Sequence, residues 1–249
     1  MEELRSPFQG VKNIICFNWH FFLIATLWLI GLLYLSYYFP IGKTLIYLMV
    51  CCTCLSLLTT LIVSHYIYDR SALYKLSWLD GVSINGSGKL ANIHAGCDES
   101  SALLSFKFTE ASIDIFDFYD PQKHTEVSIR RARRSMPSLP GTKTTGTSHL
   151  PVADNSYDGI FLILAAHEIR KDSERIIFFG ELRRALKPGG KIIVVEHLRN
   201  LANFLAYTIG CFHFLPASVW NRTFDGSSLQ CTGLLRITPF VNAFILEKR

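Results

Sequence analysis

The sequence predicts an α/β protein: a doubly wound, mostly parallel sheet with an antiparallel last strand, preceded by two transmembrane helices. Three observations carry this. Residues 14–38 and 44–68 contain no charged side chain. The stretch 181–197, ELRRALKPGGKIIVVEH, is one helix-to-strand crossover. From Lys89 onward, strand-like and helix-like segments alternate, which implies a parallel sheet with helices on both faces.

The chain has 249 residues, 49% of them hydrophobic, with mean hydropathy +0.25. That excess of apolar residues sits at the front. Each uncharged run is 25 residues long, about 37 Å as a helix at ~1.5 Å per residue, enough to span a bilayer with some tilt. Between them, residues 39–43 (FPIGK) allow only a tight reversal. Trp19, Tyr34, Tyr37, Tyr38, Tyr47, Tyr66 and Tyr68 lie toward the ends of the runs, where interfacial aromatics belong. A cleaved signal peptide is excluded by the length of the first run, the lack of a small-residue cleavage site and the second span behind it.

Arg5 and Lys12 precede the first span, and Arg70 and Lys75 follow the second, against Lys43 alone in the turn. By the positive-inside rule the protein is a multi-pass component of the cytoplasmic (inner) membrane, with its soluble part facing the cytoplasm. Asn18, His20 and His65 lie within the apolar runs and read as interfacial or interhelical hydrogen-bonding groups, with contact to substrate as the alternative. The chain divides into a hairpin, 1–68, a juxtamembrane helix and linker, 69–88, and a domain, 89–249.

Beyond residue 68 there are 22 basic and 18 acidic side chains. That mild surplus suits anionic lipid nearby and does not argue for nucleic acid. The cysteines, at 16, 51, 52, 54, 97, 211 and 231, form no paired Cys-x-x-Cys sets, and Cys51, Cys52 and Cys54 share one turn of an apolar helix that cannot aim three thiols at one ion. They argue against a disulfide framework or a zinc site and suit a reducing compartment.

In order, residues 69–80 are amphipathic and predict a helix leaving the membrane, and 81–88 a turn-rich linker. Residues 90–93 predict a first strand, ending in a tight turn at Ala95-Gly96. Asp98-Glu99-Ser100 supplies caps and first-turn anions for the next helix. Residues 112–118 predict a second strand, 128–134 a basic helix, and 135–149 an irregular loop with a short strand near 143–147. Residues 157–164 are a buried strand closed by His167-Glu168, and 173–186 a helix. That helix stops at Lys187-Pro188, because Pro188 has no N–H and holds Lys187 extended. Residues 191–195 are the buried strand that follows. Residues 201–215 are almost wholly apolar, either deeply buried or lying on the membrane. Residues 234–239 and 241–248 are the closing antiparallel pair. The arginines of 130–134 make a solvated helix face or a patch attracted to anionic headgroups.

The succession LANIHAG at 90–96, DIFD at 114–117, LPVADNSYD at 150–158 and LKPGG at 186–190 resembles the class I S-adenosylmethionine-dependent methyltransferases. It is most similar to the group that includes the quinone C-methyltransferases. The resemblance covers about residues 88–249 and leaves out the hairpin. It implies a Rossmann-like fold, S-adenosylmethionine as cofactor, and cofactor binding by Asn92, His94, Gly96 and Asp117. The turn 92–98 would pass beneath the methionine moiety, Asp117 would bind the ribose hydroxyls with Asp114 as the alternate, and 161–167 would floor the sulfonium. The family's acid-x-Gly-x-Gly-x-Gly turn stands here as Asn92, His94, Gly96 and Asp98, so one glycine of three is present. Thr145-Gly146-Thr147 stands where the family often has an acid for the adenine.

Ligands of such sheets lie beyond the carboxyl ends of the strands. His167, Glu168, Glu196 and His197 fall there, and His167 is the first choice for a catalytic base. His94 reads as packing against the cofactor, with catalysis as the alternative; no metal site is expected. Two functions follow. One is a membrane-anchored methyltransferase taking a hydrophobic or amphiphilic acceptor, a small molecule or lipid, from the cytoplasmic leaflet. The other is a catalytically inactive methyltransferase-like domain serving as a membrane interaction module. A dinucleotide-binding domain fits less well, because the turn lacks that fingerprint too.

Overall fold

The computed structural model describes residues 5–136 and 138–249; Pro137, within the expected 135–149 loop, lies outside the described residues. Helix α1 (Gln9–Tyr38) and helix α2 (Lys43–His65) are joined by a 3-10 turn at Pro40–Gly42. Both are long and apolar enough to cross a membrane, and the rest of the chain covers almost none of their apolar windows. The helices meet closely at Gly10, where an added Cβ would stand 2.3 Å from the Tyr68 Cβ. Just beyond, Asp69 accepts hydrogen bonds from the Gly10 N–H at 2.7 Å and the Val11 N–H at 3.3 Å. The first turn of α1 is therefore capped from the far end of the hairpin, by an anion at the positive end of a helix dipole.

The helix expected over 69–80 does not form as one. Helix α2 runs on through a wide turn at Tyr66–Arg70, and only a 3-10 turn, Ser77–Gly81, follows. Leu76 adopts φ 55°, a left-handed conformation that no helix continues through. The apolar spacing serves burial instead: Leu73, Leu76 and Leu79 all pack under the sheet.

The sheet has seven strands: β1 (Lys89–His94), β2 (Ser112–Asp117), β3 (Lys143–Thr144), β4 (Tyr157–Ile163), β5 (Leu186–His197), β6 (Leu229–Arg236) and β7 (Val241–Lys248). Their order is β3-β2-β1-β4-β5-β7-β6. The first five run parallel, while β7 is antiparallel to both β5 and β6. Strand order reverses between β1 and β4, so their carboxyl ends diverge into a crevice.

Alternation along the strands feeds two cores. Ala91, Ile93, Ile160, Leu162, Ile192 and Val194 face helices α5 (Asp172–Ala185) and α7 (Ala217–Gly226), against Phe178, Phe179, Trp220 and Phe224. Leu90, Phe161, Ile163, Ile193 and Val195 face helix α3 (Ser101–Lys107) and the 73–79 leucines.

The crossover stands as read, with α5 ending at Ala185 and the chain extended from Leu186. Gly189 takes φ 76°, and a Cβ on Gly190 would press within 3.0 Å of the Asp158 carbonyl oxygen. Helix α7 was not anticipated, and β6 starts at Leu229 rather than 234. The apolar 201–215 stretch is α6 (Leu201–Tyr207) followed by 3-10 turns over Thr208–His213. Ala206 and Cys211 are buried while Leu201, Phe204, Leu205, Ile209 and Phe212 are exposed, so the stretch is not deeply buried as a whole. Thr60 of α2 donates to the Ala206 carbonyl at 2.8 Å, which sets the exposed side beside the hairpin.

Asp69→Ala removes the acceptor for two helix-start amides, at a cost of about 1–2 kcal/mol. Hydrogen exchange at Gly10 and Val11 is expected to quicken by roughly 5–30-fold, and unchanged protection would show that the cap is not Asp69.

Candidate functional site

A cavity of about 200 Å³ opens at the carboxyl ends of β1, β4 and β5. His94 and Gly96 form its wall at the turn after β1, Ala165, His167 and Glu168 at the turn after β4, and His197 at the end of β5. The opposite wall comes from elsewhere in the chain. Gly10, Asn13 and Phe17 of α1, with Ile129 and Ala132 of α4 (Val127–Ser135), close the space above the sheet.

Glu99 holds this roof on. Its carboxylate pairs with Arg5 at 2.8 Å and accepts from Gln9 at 2.8 Å, Asn13 at 3.1 Å and Tyr74 at 2.8 Å. The Arg5 guanidinium also lies 3.8 Å from the centre of the Tyr74 ring. Burial, reinforced by the Glu99 charge, pushes the Tyr74 hydroxyl well above its ordinary pKa, so it stays a donor. Of the Asp98-Glu99-Ser100 trio only Asp98 caps α3, accepting from the Ser101 N–H at 2.9 Å.

The sequence-predicted site residues separate into two groups. Gly96 (φ 104°) and His94 reach the cavity. The Gly96 N–H donates to His94 Nδ1 at 2.9 Å, which puts the ring proton on Nε2, facing Asp98 at 3.5 Å. Burial lowers the His94 pKa despite Asp98 and Asp117, so the ring is neutral. Asn92 does not line the cavity: its amide donates to Ser100 at 2.9 Å and Ser101 at 2.7 Å and serves the α3 start. Asp117 does not line it either. Arg133 donates to its Oδ2 at 2.6 Å and to the Ala95 carbonyl at 3.0 Å, and the same side chain lies over Gly96, 2.4 Å from where a Cβ would stand. Asp114 is used at the sheet edge by Lys143 and Tyr157.

α4 is thus no plain solvated face. Arg133 turns inward, and Arg131 donates to the Phe17 carbonyl at 2.9 Å and to His20 at 2.6 Å on α1, while Arg130 and Arg134 are exposed.

His167 lies on the floor with Nδ1 2.7 Å from Glu196 Oε2. Burial would lower its pKa, but the Glu196 carboxylate overrides that and raises it to about 9. At neutral pH the ring therefore holds its proton, which is not the state of a free base.

His197 is the opposite case. Asn203 commits its amide nitrogen to the carbonyls of Leu198 and Phe240, so its oxygen accepts from His197 Nδ1 at 3.2 Å. Nε2 then accepts from the Tyr68 hydroxyl at 2.8 Å. Burial pushes this imidazole down to about 4.

The sequence profile of the methyltransferase domain family matches residues 121–194. Among solved structures, an S-adenosylmethionine-dependent methyltransferase from Aquifex aeolicus is 13% identical, with 73% of this chain and 90% of that one covered at TM-score 0.54. A protein from Pyrococcus horikoshii is 14% identical over 71% of this chain and 88% of that one, at TM-score 0.52. Human N-acetylserotonin methyltransferase, solved with S-adenosylmethionine, is 12% identical over 83% of this chain and 56% of that one, at TM-score 0.50. No curated protein matches the sequence significantly. The chain therefore shares its fold with S-adenosylmethionine-dependent methyltransferases.

The residues present fit that cofactor in two parts. The Gly96 turn and the cavity running to His167 suit the methionine half, although the Arg133 side chain lies over Gly96. An Asp117 that accepted from a ribose would require the same side chain to leave it. Sequence reasoning missed Arg133 and Glu99; neither carries a local signal, because their partners are 16 residues distant or more.

The sheet domain should lose stability in mild acid. The folded His197 pKa is depressed, so the unfolded chain takes its proton first as pH falls through about 6.5 toward 4. Burial pushes His213 down to about 3, in the same sense. Thermal unfolding is expected to drop over this window, and His197→Gln should flatten the slope; an identical slope would place the sensitivity elsewhere.

Proposed function

We propose that the protein is a membrane-anchored methyltransferase that takes a hydrophobic or amphiphilic acceptor from the cytoplasmic leaflet. One observation carries the reading: the wall of the sheet-edge cavity opposite the strands is the first helix of the hairpin, through Gly10, Asn13 and Phe17. An acceptor with an apolar tail then has a path from the bilayer along α1 without crossing water. The exposed apolar side of α6 and the following turns lies beside α2 and supports contact with the membrane surface. Arg5, Lys12, Arg70 and Lys75 against Lys43 support the cytoplasmic side.

When bound, the cofactor supplies an electrophilic methyl on its sulfonium. The chain's part is to hold that group in line with the acceptor and keep water out. Gly96 and His94 would hold the methionine end, and Asp117, freed from Arg133, would accept both ribose hydroxyls. Asn92 acts through α3, keeping the turn in shape. His167, fixed by Glu196, faces the acceptor's polar end.

A second reading has its own support. The Arg133–Asp117 pair at 2.6 Å is what a domain that no longer binds cofactor would keep. Calorimetric titration of the detergent-solubilised protein separates the two: the enzyme reading expects micromolar S-adenosylmethionine binding, and absence of heat favours the silent module.

In that titration Asp117→Ala should abolish binding, and an unaltered affinity would remove its ribose role. Arg133→Ala should tighten binding by roughly five-fold, the equivalent of an ion pair of about 1 kcal/mol. Weaker binding in this variant would mean that Arg133 holds the cofactor rather than competing with it.

A further inference from the structure

Three side chains gather at the His167 end of the cavity, two of them lining it. His167 and Glu168 come from the 3-10 turn after β4 (Ala166–Glu168), and His213 ends the 3-10 turn after α6. One ligand atom from each lies within 4.8 Å of the other two.

The surroundings are those of a ligand set. Glu196, whose carboxylate is 1% exposed, accepts from His167 at Nδ1 (2.7 Å) and at the backbone N–H (3.1 Å). That is the carboxylate–histidine arrangement that orients a metal-binding imidazole and leaves Nε2 as the ligand. Nε2 stands 3.6 Å from Glu168 Oε1, beyond a hydrogen bond. Glu168 is only 5% exposed, and its Oε2 is buried with no partner. The nearest acid to His213 Nδ1 is Glu126 at 3.9 Å, and the His213 ring meets His167 edge-on with centroids 5.0 Å apart. Arg170 holds both histidines by their backbones, donating to the carbonyls of His213 at 2.7 Å and His167 at 3.3 Å. An unsatisfied buried carboxylate is costly; a nitrogen of each imidazole lies within 4.8 Å of it, and a metal ion that displaced the His167 proton would satisfy all three.

We propose that His167, Glu168 and His213 bind one divalent transition-metal ion, with Glu196 as a positioning residue behind His167. Two imidazole nitrogens and a carboxylate oxygen suit zinc and its first-row neighbours, and three protein ligands leave a position open. That position faces the cavity, since His167 and Glu168 line it. It would take an oxygen of the acceptor, a hydroxyl or carbonyl, and polarise it as a Lewis acid. This last role rests on the methyl-transfer reading; metal binding does not.

The test uses the full chain in detergent, stripped with chelator and titrated with Co²⁺ alone, then with Zn²⁺ as competitor. One Co²⁺ per chain is expected, with a visible ligand-field spectrum, displacement by Zn²⁺, and two imidazoles in the X-ray absorption of the wild-type complex. His213→Ala and Glu168→Gln should each weaken binding by more than about a hundredfold, and Glu196→Gln by roughly 10–100-fold. No stoichiometric uptake by the wild type overturns the site, as does a coordination shell without imidazole, or undiminished uptake in both ligand variants. S-adenosylmethionine is titrated into the same preparations. Cofactor binding without metal uptake removes the metal and leaves the enzyme reading, and metal uptake without cofactor binding does the reverse.

Discussion

The arrangement depends on the docking of the hairpin's first turn onto the turn that follows β1. Glu99 is the centre of it, a buried carboxylate shared by Arg5, Gln9, Asn13 and Tyr74. A buried charge survives only when its hydrogen bonds are all made, so the position of α1 and the shape of the Gly96 turn are set together. Asp69 completes the joint from the other side by capping α1. A hairpin attached by a flexible linker would leave the cavity open to water; here its first helix is one of the walls.

Helix α4 makes a second connection through the same region. Arg131 reaches the α1 backbone, and Arg133, two residues on, reaches Asp117. Arginines two residues apart on a short helix point to different faces, so one side meets α1 and the other the strand-end acid. Movement of α1 relative to the sheet would therefore be felt at Asp117. Charge inside the cavity is likewise arranged in opposed pairs: His167 is held positive by Glu196, while burial keeps His197 neutral. Neighbouring histidines on one sheet edge thus differ because only His167 meets a carboxylate that offsets its burial.

Much of the fold was legible because it rests on local rules. Uncharged runs of membrane length, β-branched strand segments and the Pro-Gly-Gly stop are readable one segment at a time. The expected 69–80 helix failed for a reason of the same order: Leu73, Leu76 and Leu79 have helical spacing, yet an irregular chain with Leu76 left-handed buries all three. Helix α7 escaped notice because its short amphipathic run, ASVWNRTFDG, is marked mainly by the tertiary burial of Trp220 and Phe224.

The sequence by itself determined the layers, the parallel order through β5 and the end of the sheet at which Gly96, His94 and His167 gather, because strand periodicity and turn chemistry act over a few residues. Only the tertiary structure decided which of these side chains meet. Asn92 turns to α3, Asp117 is taken by Arg133, and the hairpin becomes a wall through Glu99. Such pairings join residues far apart in the chain, and they depend on how helices seat against the sheet, a matter of burial and charge satisfaction that no local pattern encodes.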